Sequence, residues 1–279
     1  MRVAVIGANG QLGSELMALG NATEGFCMIG FTHDQCEVST RDGVASLRAA
    51  QPDVIVNTAA MHDLAACESD PRMAARVNRA VPVMEVAEEV GARYIYVSTD
   101  YVFDGEEGDY AEAAQTRPLS AYGRTKRLGE ALCGVMVEPG AVCRVSHLFG
   151  KTGCRAKRGG NFVQFVLAAL RDGRPVALDD DTRFSPTYAR DAAQAILGIA
   201  EAGGEGIYHV ANDSACSHYE FGVAVADLCA LPYHNLSPRH NEPSPLRPQR
   251  SNLVNTRLPA SPHWRDGLQR YLQEMNCIE

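Results

Sequence analysis

An α/β fold, a doubly wound parallel sheet with a smaller α/β region toward the carboxyl end, is what this chain predicts, and three observations carry the prediction. Short β-branched or apolar runs alternate with longer stretches whose apolar positions recur at helical spacing. The first run ends in glycines spaced by three that lead directly into a helical pattern. A later run ends in Ser98-Thr99-Asp100, and a tyrosine and a lysine four residues apart follow it, Tyr122 and Lys126.

The 279 residues, 46% hydrophobic and 22% charged, suffice for one large domain or two unequal ones. A formal charge of -8 argues against a general binder of nucleic acid or of anionic membranes. Nine cysteines without a C-x-x-C pair read as reduced thiols of a cytoplasmic protein, and no metal site is expected. The start of the chain reads as a strand rather than a signal peptide, and no run reaches the roughly 18 apolar residues of a membrane helix.

Residues 3–6 form the first strand. Gly7, Gly10 and Gly13 then let the backbone approach a pyrophosphate at the positive end of the helix beginning at Gln11. Asn9 stands where the second glycine of G-x-G-x-x-G would be, so the turn is a variant of the Rossmann-like dinucleotide site. Residues 26–31 predict the next strand, whose end faces the adenine ribose. No acid follows at once. Thr32 and His33 do, and His33 could meet a 2′-phosphate that Asp34 would repel; the balance favours NADP and leaves NAD open.

Residues 53–57 predict a buried strand ending at Asn57, with the small Ala59 and Ala60 leaving room for a cofactor. Residues 61–68 read as a loop in which His62 could reach the nicotinamide or the substrate, or remain a surface group. Residues 71–90 read as a single crossover helix with its methionines in the core. Residues 94–97 form the strand that delivers Ser98, Thr99 and Asp100 to the ligand edge of the sheet. Tyr122 and Lys126 share a helix face, so the ammonium could sit beside the phenol and favour its ionised form.

Later stretches predict a strand within 135–145, helices at 161–171, 189–202 and 219–231, and strands at 175–178 and 207–210. Residues 236–248 read as a proline-rich connection and the tail as an amphipathic helix around Leu268. Lys151, Arg155, Lys157 and Arg158 form a basic loop that is either solvated or available to a diphosphate.

Three segments carry a resemblance: Gly7-Ala8-Asn9-Gly10-Gln11-Leu12-Gly13, residues 97–105, and Tyr122-Gly123-Arg124-Thr125-Lys126 with Gly129-Glu130. Weaker matches extend over nearly the whole chain. On them the chain resembles the extended short-chain dehydrogenase/reductases, and within these the dTDP-4-dehydrorhamnose reductase family.

The resemblance implies NADPH- or NADH-dependent reduction of a 4-keto sugar nucleotide with Thr99, Tyr122 and Lys126 as the catalytic trio. Cofactor contacts are expected from Gly7, Asn9, Gly10, Gln11, Leu12, Gly13, Thr32, His33, Asn57, Ala59 and Ala60, together with Tyr122 and Lys126. Substrate contacts are expected from His62, Ser98, Asp100, Tyr101, Val102, Phe103, His147, Asn161, Arg183 and Arg247. Residues 1–150, with 187–210 returning to them, would hold the cofactor; residues 151–186 and 211–279 would close on the substrate. A homodimer is left open.

Two places depart from the family pattern. Met61, His62 and Ala65 stand where an aromatic residue, threonine and aspartate are common, and His147 replaces a tryptophan after Arg-x-Ser. A changed substrate therefore stays open, as does a related role as a regulatory binding subunit. Retention of Tyr122 and Lys126 argues against the latter. A dehydratase would typically show Asp-Glu after Thr99, where this chain has Asp100-Tyr101.

Overall fold

The computed structural model describes residues 1–152, 160–240 and 244–278. Arg155, Lys157 and Arg158 of the basic loop lie outside the described residues.

Six parallel strands form the central sheet: β1 (Arg2–Ile6), β2 (Cys27–Phe31), β3 (Val54–Asn57), β4 (Arg93–Thr99), β5 (Gly140–Val145) and β9 (Gly206–His209), in spatial order β2-β1-β3-β4-β5-β9. Both faces of the sheet are covered, which is why its strands read as unbroken apolar runs rather than alternating ones. On one face Val3, Val5 and Val56 pack with Leu12 and Leu16 of α1 (Gln11–Asn21) and Ile196 of α8 (Ala189–Ala202). On the other, Ala4, Ile6 and Ile55 meet Leu47 of α2 (Ala45–Ala50), Met84 of α5 (Val81–Val90) and Cys133 of α6 (Ala121–Met136). Strand order reverses direction between β1 and β3, and a crevice opens beyond their carboxyl ends, the usual ligand position in such sheets.

A second apolar cluster lies beside the sheet. It joins α7 (Phe162–Arg171), α9 (His218–Leu228) and α10 (Trp264–Glu274) to the parallel pair β7 (Val176–Asp179) and β10 (Leu236–Arg239). A two-stranded link, β6 (Leu148–Phe149) with β8 (Thr187–Tyr188), connects cluster and sheet, with Phe149 and Tyr188 stacked at 5.6 Å. No described helix is long and apolar enough to cross a membrane.

Four expectations need correction. Residues 71–90 form two helices, α4 (Pro71–Arg79) and α5, because Ala80 is left-handed (φ 48°) and Pro82 falls in the first turn of α5, where its missing N–H costs nothing. Met84 is in the core but Met73 is 40% exposed. The expected loop at 61–68 contains α3 (Leu64–Ser69), capped by the Asp63 carboxylate on the Ala66 amide. The connection at 236–248 begins with strand β10, in which Pro238 is tolerated at the edge of a two-stranded sheet.

Candidate functional site

The glycine turn builds the floor of the crevice. Gly7 is left-handed (φ 80°), and a Cβ there would lie 2.6 Å from Thr58 Oγ1; one on Gly13 would lie 2.1 Å from the Gly7 carbonyl oxygen. Only glycine allows the turn to close this tightly against β3 and α1. The N-cap of α1 is Gly10, with no side-chain cap, so the first-turn amides remain available to an anion.

A cavity of about 960 Å³ opens above this turn, at the upper end of the size range for small-molecule sites. Of the expected cofactor contacts, Gly7, Asn9, Gly10, Gln11, Leu12, His33, Ala59, Ala60, Tyr122 and Lys126 line it. Gly13, Thr32 and Asn57 do not. Gly13 is the close-packing position of the turn, Thr32 is bonded to Gln35 Oε1 through both amide and hydroxyl (2.9 and 3.0 Å), and buried Asn57 donates to the Tyr94 hydroxyl (2.9 Å). These three shape the wall from behind.

β4 and α6 bring Thr99, Tyr122 and Lys126 into the same cavity. Ser120 caps α6 by accepting from the Gly123 amide (3.1 Å), and Glu68 Oε1 accepts from the Ala121 amide (2.5 Å), which fixes the first turn that carries Tyr122. Burial pushes the Tyr122 phenol up, opposed by the neighbouring Thr99 hydroxyl. Thr99 donates its hydroxyl proton to Asp100 Oδ1 (3.0 Å).

Lys126 is 2% exposed; its Nζ donates to the Val97 carbonyl (2.6 Å) and sits 4.1 Å from the Tyr96 ring centroid. Burial pushes the ammonium down to about 7, with the Glu130 carboxylate opposing. The expectation that Lys126 holds the phenol in its ionised form is corrected for this state. The ammonium is committed to a backbone carbonyl, and desolvation dominates both groups.

The expected substrate residues separate into two groups. His62, Ser98, Asp100, Tyr101, His147, Asn161 and Arg247 line the cavity. Val102 and Phe103 are fully buried and do not; Phe103 stacks on Tyr110 at 4.1 Å under the Arg144 guanidinium. Arg183 also stays away, ion-paired with Glu220 on α9. Their assignment to substrate is corrected: the short helical turn at Asp100–Val102 carries Val102 and Phe103 into the core, and Glu220 holds the Arg183 guanidinium.

Within the first group several polar atoms are already engaged by protein. Asp100 accepts hydroxyls from Ser146 (2.9 Å) and Ser251 (2.6 Å) besides Thr99, tying β4, β5 and the carboxyl-terminal segment together. Ser98 donates to Glu130 (2.6 Å), whose carboxylate forms a two-point pair with buried Arg144 (2.8 Å each). Asn161 caps α7 and donates to Gly150 and Tyr271.

Tyr101, His147 and Arg247 also wall a second cavity of about 470 Å³, completed by Phe162, Phe165, His218 and Arg239 from the smaller cluster. Arg247 donates to the Tyr101 hydroxyl (2.9 Å). His147 has φ 37°, stacks on Phe184 at 3.9 Å and lies 3.6 Å from Asp100, so its imidazole stands at the junction of the two spaces.

Sequence reasoning missed Cys36, Glu37, Val38 and Ser39, which line the first cavity beyond β2, and Arg239 in the second. The parallel placement of β2 beside β1 makes the residues after β2 wall candidates, but no periodic signal marks them. Pro238 hid the strand that carries Arg239.

A parallel dinucleotide-type sheet with a hydroxyl, a phenol and an amine gathered over its glycine turn defines an α/β protein of the nucleotide-binding class. The chain matches the family described as RmlD substrate binding domain over residues 1–277 and belongs to it. It is 32% identical over 283 residues to the spore coat polysaccharide biosynthesis protein SpsK of Bacillus subtilis, covering 98% of this chain and 97% of that one. It is 33% identical over 287 residues to a dTDP-4-dehydrorhamnose reductase of Mycobacterium tuberculosis, covering 96% and 91%. A crystal structure of dTDP-4-dehydrorhamnose reductase from Bacillus anthracis in complex with NADP superposes with a TM-score of 0.89 at 28% identity, covering 98% and 99%.

Proposed function

We propose that this protein reduces the keto group of a 4-keto sugar nucleotide with NADPH, in the manner of dTDP-4-dehydrorhamnose reductase. The observation that carries the reading is the convergence of Thr99, Tyr122 and Lys126 on the cavity that begins at the glycine turn. Family membership and the named reductases among its relatives support it.

The residues present fit a nicotinamide dinucleotide. Small side chains at Ala59 and Ala60, the uncapped start of α1 and the crowding around Gly7 make a cradle for a pyrophosphate, and the cavity extends from there to Tyr122. Bound NADPH supplies the hydride. Tyr122 donates its proton to the carbonyl oxygen. The Thr99 hydroxyl turns from Asp100 to the same oxygen and shares the developing charge. Lys126, leaving Val97, stabilises the tyrosinate that remains and binds the nicotinamide ribose.

Residues 1–150 and 187–210 form the cofactor half in this reading, supported by β9 in the main sheet and α8 against α1. Residues 151–186 and 211–279 take the nucleotide sugar, supported by the second cavity between them and Tyr101. His62 and His147 face the sugar, and the reduced thiols suit a cytoplasmic setting. A panel of keto sugar nucleotides followed by NADPH absorbance tests the reading. Oxidation with a 4-keto compound is the expected result; a blank across the panel from protein that binds NADPH overturns it in favour of a binding subunit.

A further inference from the structure

The pair Gly129-Glu130 lies one turn beyond Lys126 on α6 and takes no part in the chemistry described above. Tyr122, Lys126 and Glu130 recur every four residues, so they share the face of α6 that meets β4. Gly129 brings helix and strand together: a Cβ there would lie 2.3 Å from the Tyr96 hydroxyl oxygen. Polar groups on that face then bond to successive residues at the end of β4. Lys126 Nζ donates to the Val97 carbonyl (2.6 Å), and Glu130 Oε1 accepts from the Ser98 hydroxyl (2.6 Å). The Thr99 hydroxyl neighbours Tyr122.

A carboxylate that is only 5% exposed needs partners. Arg144 of β5, itself fully buried, supplies two bonds from Nε and Nη2 (2.8 Å each). The guanidinium is fixed in turn. Its Nη1 donates to the Glu112 carbonyl (3.4 Å) and lies 3.3 Å from His209 Nε2 of β9, and its central carbon stands 5.1 Å from the Phe103 ring centroid. Burying an ion pair this deeply adds little net stability, and apolar residues would join helix to sheet as well. What they would not supply is a fixed acceptor for Ser98 and a negative charge one turn from Lys126.

We propose that Glu130 is a positioning residue of this site: its carboxylate, shared between Ser98 and Arg144, locks the end of β4 onto α6 and serves as the buried counter-charge of the Lys126 ammonium. The inference rests on the reading of Lys126 as the group that binds the nicotinamide ribose. Burial pushes the ammonium down to about 7, and the Glu130 charge opposes that fall. Lys126 sits on the Tyr96 ring, around which stand Tyr94 of β4 and Tyr122, Glu130 and Cys133 of α6; α4 contributes the neutral Asn78. Burial holds the three phenols and the Cys133 thiol above their ordinary values, and Cys67 of α3, beside Tyr122, likewise, so they stay uncharged where Lys126 titrates. Asp100, also near Tyr122, is committed to Thr99, Ser146 and Ser251, and Arg144 is bonded to Glu130. Glu130 is then the carboxylate that answers the ammonium.

The lysines of the chain are Lys126, Lys151 and Lys157, so NMR of isotope-labelled lysine side chains in the full chain without cofactor follows each amine directly, with Lys126→Met assigning its signal. In Glu130→Gln the titration midpoint of Lys126 is expected to fall by about one pH unit, a roughly tenfold loss of the protonated form above the midpoint. That variant leaves Arg144 buried without its partner. Glu130→Gln combined with Arg144→Gln leaves no unpaired charge, and the same direction of change is expected there. Glu130→Asp keeps the charge and should restore the wild-type midpoint. Fluorescence titration of NADPH gives a second reading. The Kd of Glu130→Gln relative to wild type should rise from under about twofold near pH 5.5 to roughly tenfold near pH 8, because protonation at low pH returns the ammonium. A purely structural lesion would weaken binding alike at every pH. A Lys126 midpoint unchanged in both glutamine variants, or an NADPH penalty independent of pH, overturns the proposal. If the wild type binds no NADPH, the dinucleotide reading fails, while the NMR comparison still decides whether Glu130 is the counter-charge.

Discussion

Replacing Lys126 by methionine keeps an unbranched apolar stem in the buried site and removes the ammonium, so the variant isolates what the charge costs the fold. Lys126 is pushed down from an ordinary 10.5 to about 7 by burial. At about 1.4 kcal/mol per pH unit, carrying that proton in the folded state costs up to about 5 kcal/mol. The Nζ bond to Val97 and the contact with Tyr96 offset part of the loss in the variant, by about 1–2 kcal/mol. Lys126→Met should therefore be more stable than wild type near pH 7 by about 3 kcal/mol. The pH dependence has a fixed sign. The folded pKa lies below the unfolded one, so between about 7 and 10.5 the unfolded chain holds a proton that the folded chain has released. Wild-type stability relative to the variant thus rises with pH across that window, and the advantage of the variant is largest below it. Urea denaturation of both proteins without cofactor, at several pH values from about 6 to 10, measures the gap. A variant less stable than wild type by an amount independent of pH would refute the reasoning.

Other outcomes follow from the same geometry. Gly13→Ala would drive a Cβ into the Gly7 carbonyl 2.1 Å away, and NADPH affinity by fluorescence titration should fall at least roughly tenfold; unchanged affinity would mean that the turn does not cradle the phosphates. Asp100→Ala removes the acceptor shared by Thr99, Ser146 and Ser251 and should destabilise by about 3–5 kcal/mol in urea denaturation, a loss under about 1 kcal/mol contradicting its role as an anchor. His147→Trp puts a larger, mainly packing ring at the junction of the two cavities, and steady-state kinetics across several keto sugar nucleotides should show altered substrate preference. An unaltered preference would locate selection elsewhere.

The sheet was legible because its strands are buried on both faces and their apolar runs end at glycines or hydroxyl residues; residues 3–6, 94–97 and 189–202 match the observed elements closely. What escaped depends on tertiary context. Ala80 adopts a left-handed conformation that no local pattern signals, and it divides what reads as one long helix. Phe103 follows residues that line the cavity, yet one turn of tight helix sends it under Arg144. Ser98 lines the cavity beside Thr99 as expected, but its hydroxyl is committed to Glu130, a partner no local pattern signals. The site was legible in its chemistry-bearing types, while the state of Lys126 was not, since the distance to Val97 and the depth of burial are absent from a spacing of four residues.

The central claim is that Tyr122 protonates the carbonyl oxygen as hydride arrives. Single-turnover oxidation of bound NADPH by a 4-keto sugar nucleotide, compared for wild type and Tyr122→Phe, tests it most directly. The expected result is a rate reduced by roughly 10²–10⁴-fold in the variant with NADPH affinity retained. Wild-type turnover in Tyr122→Phe would contradict the account.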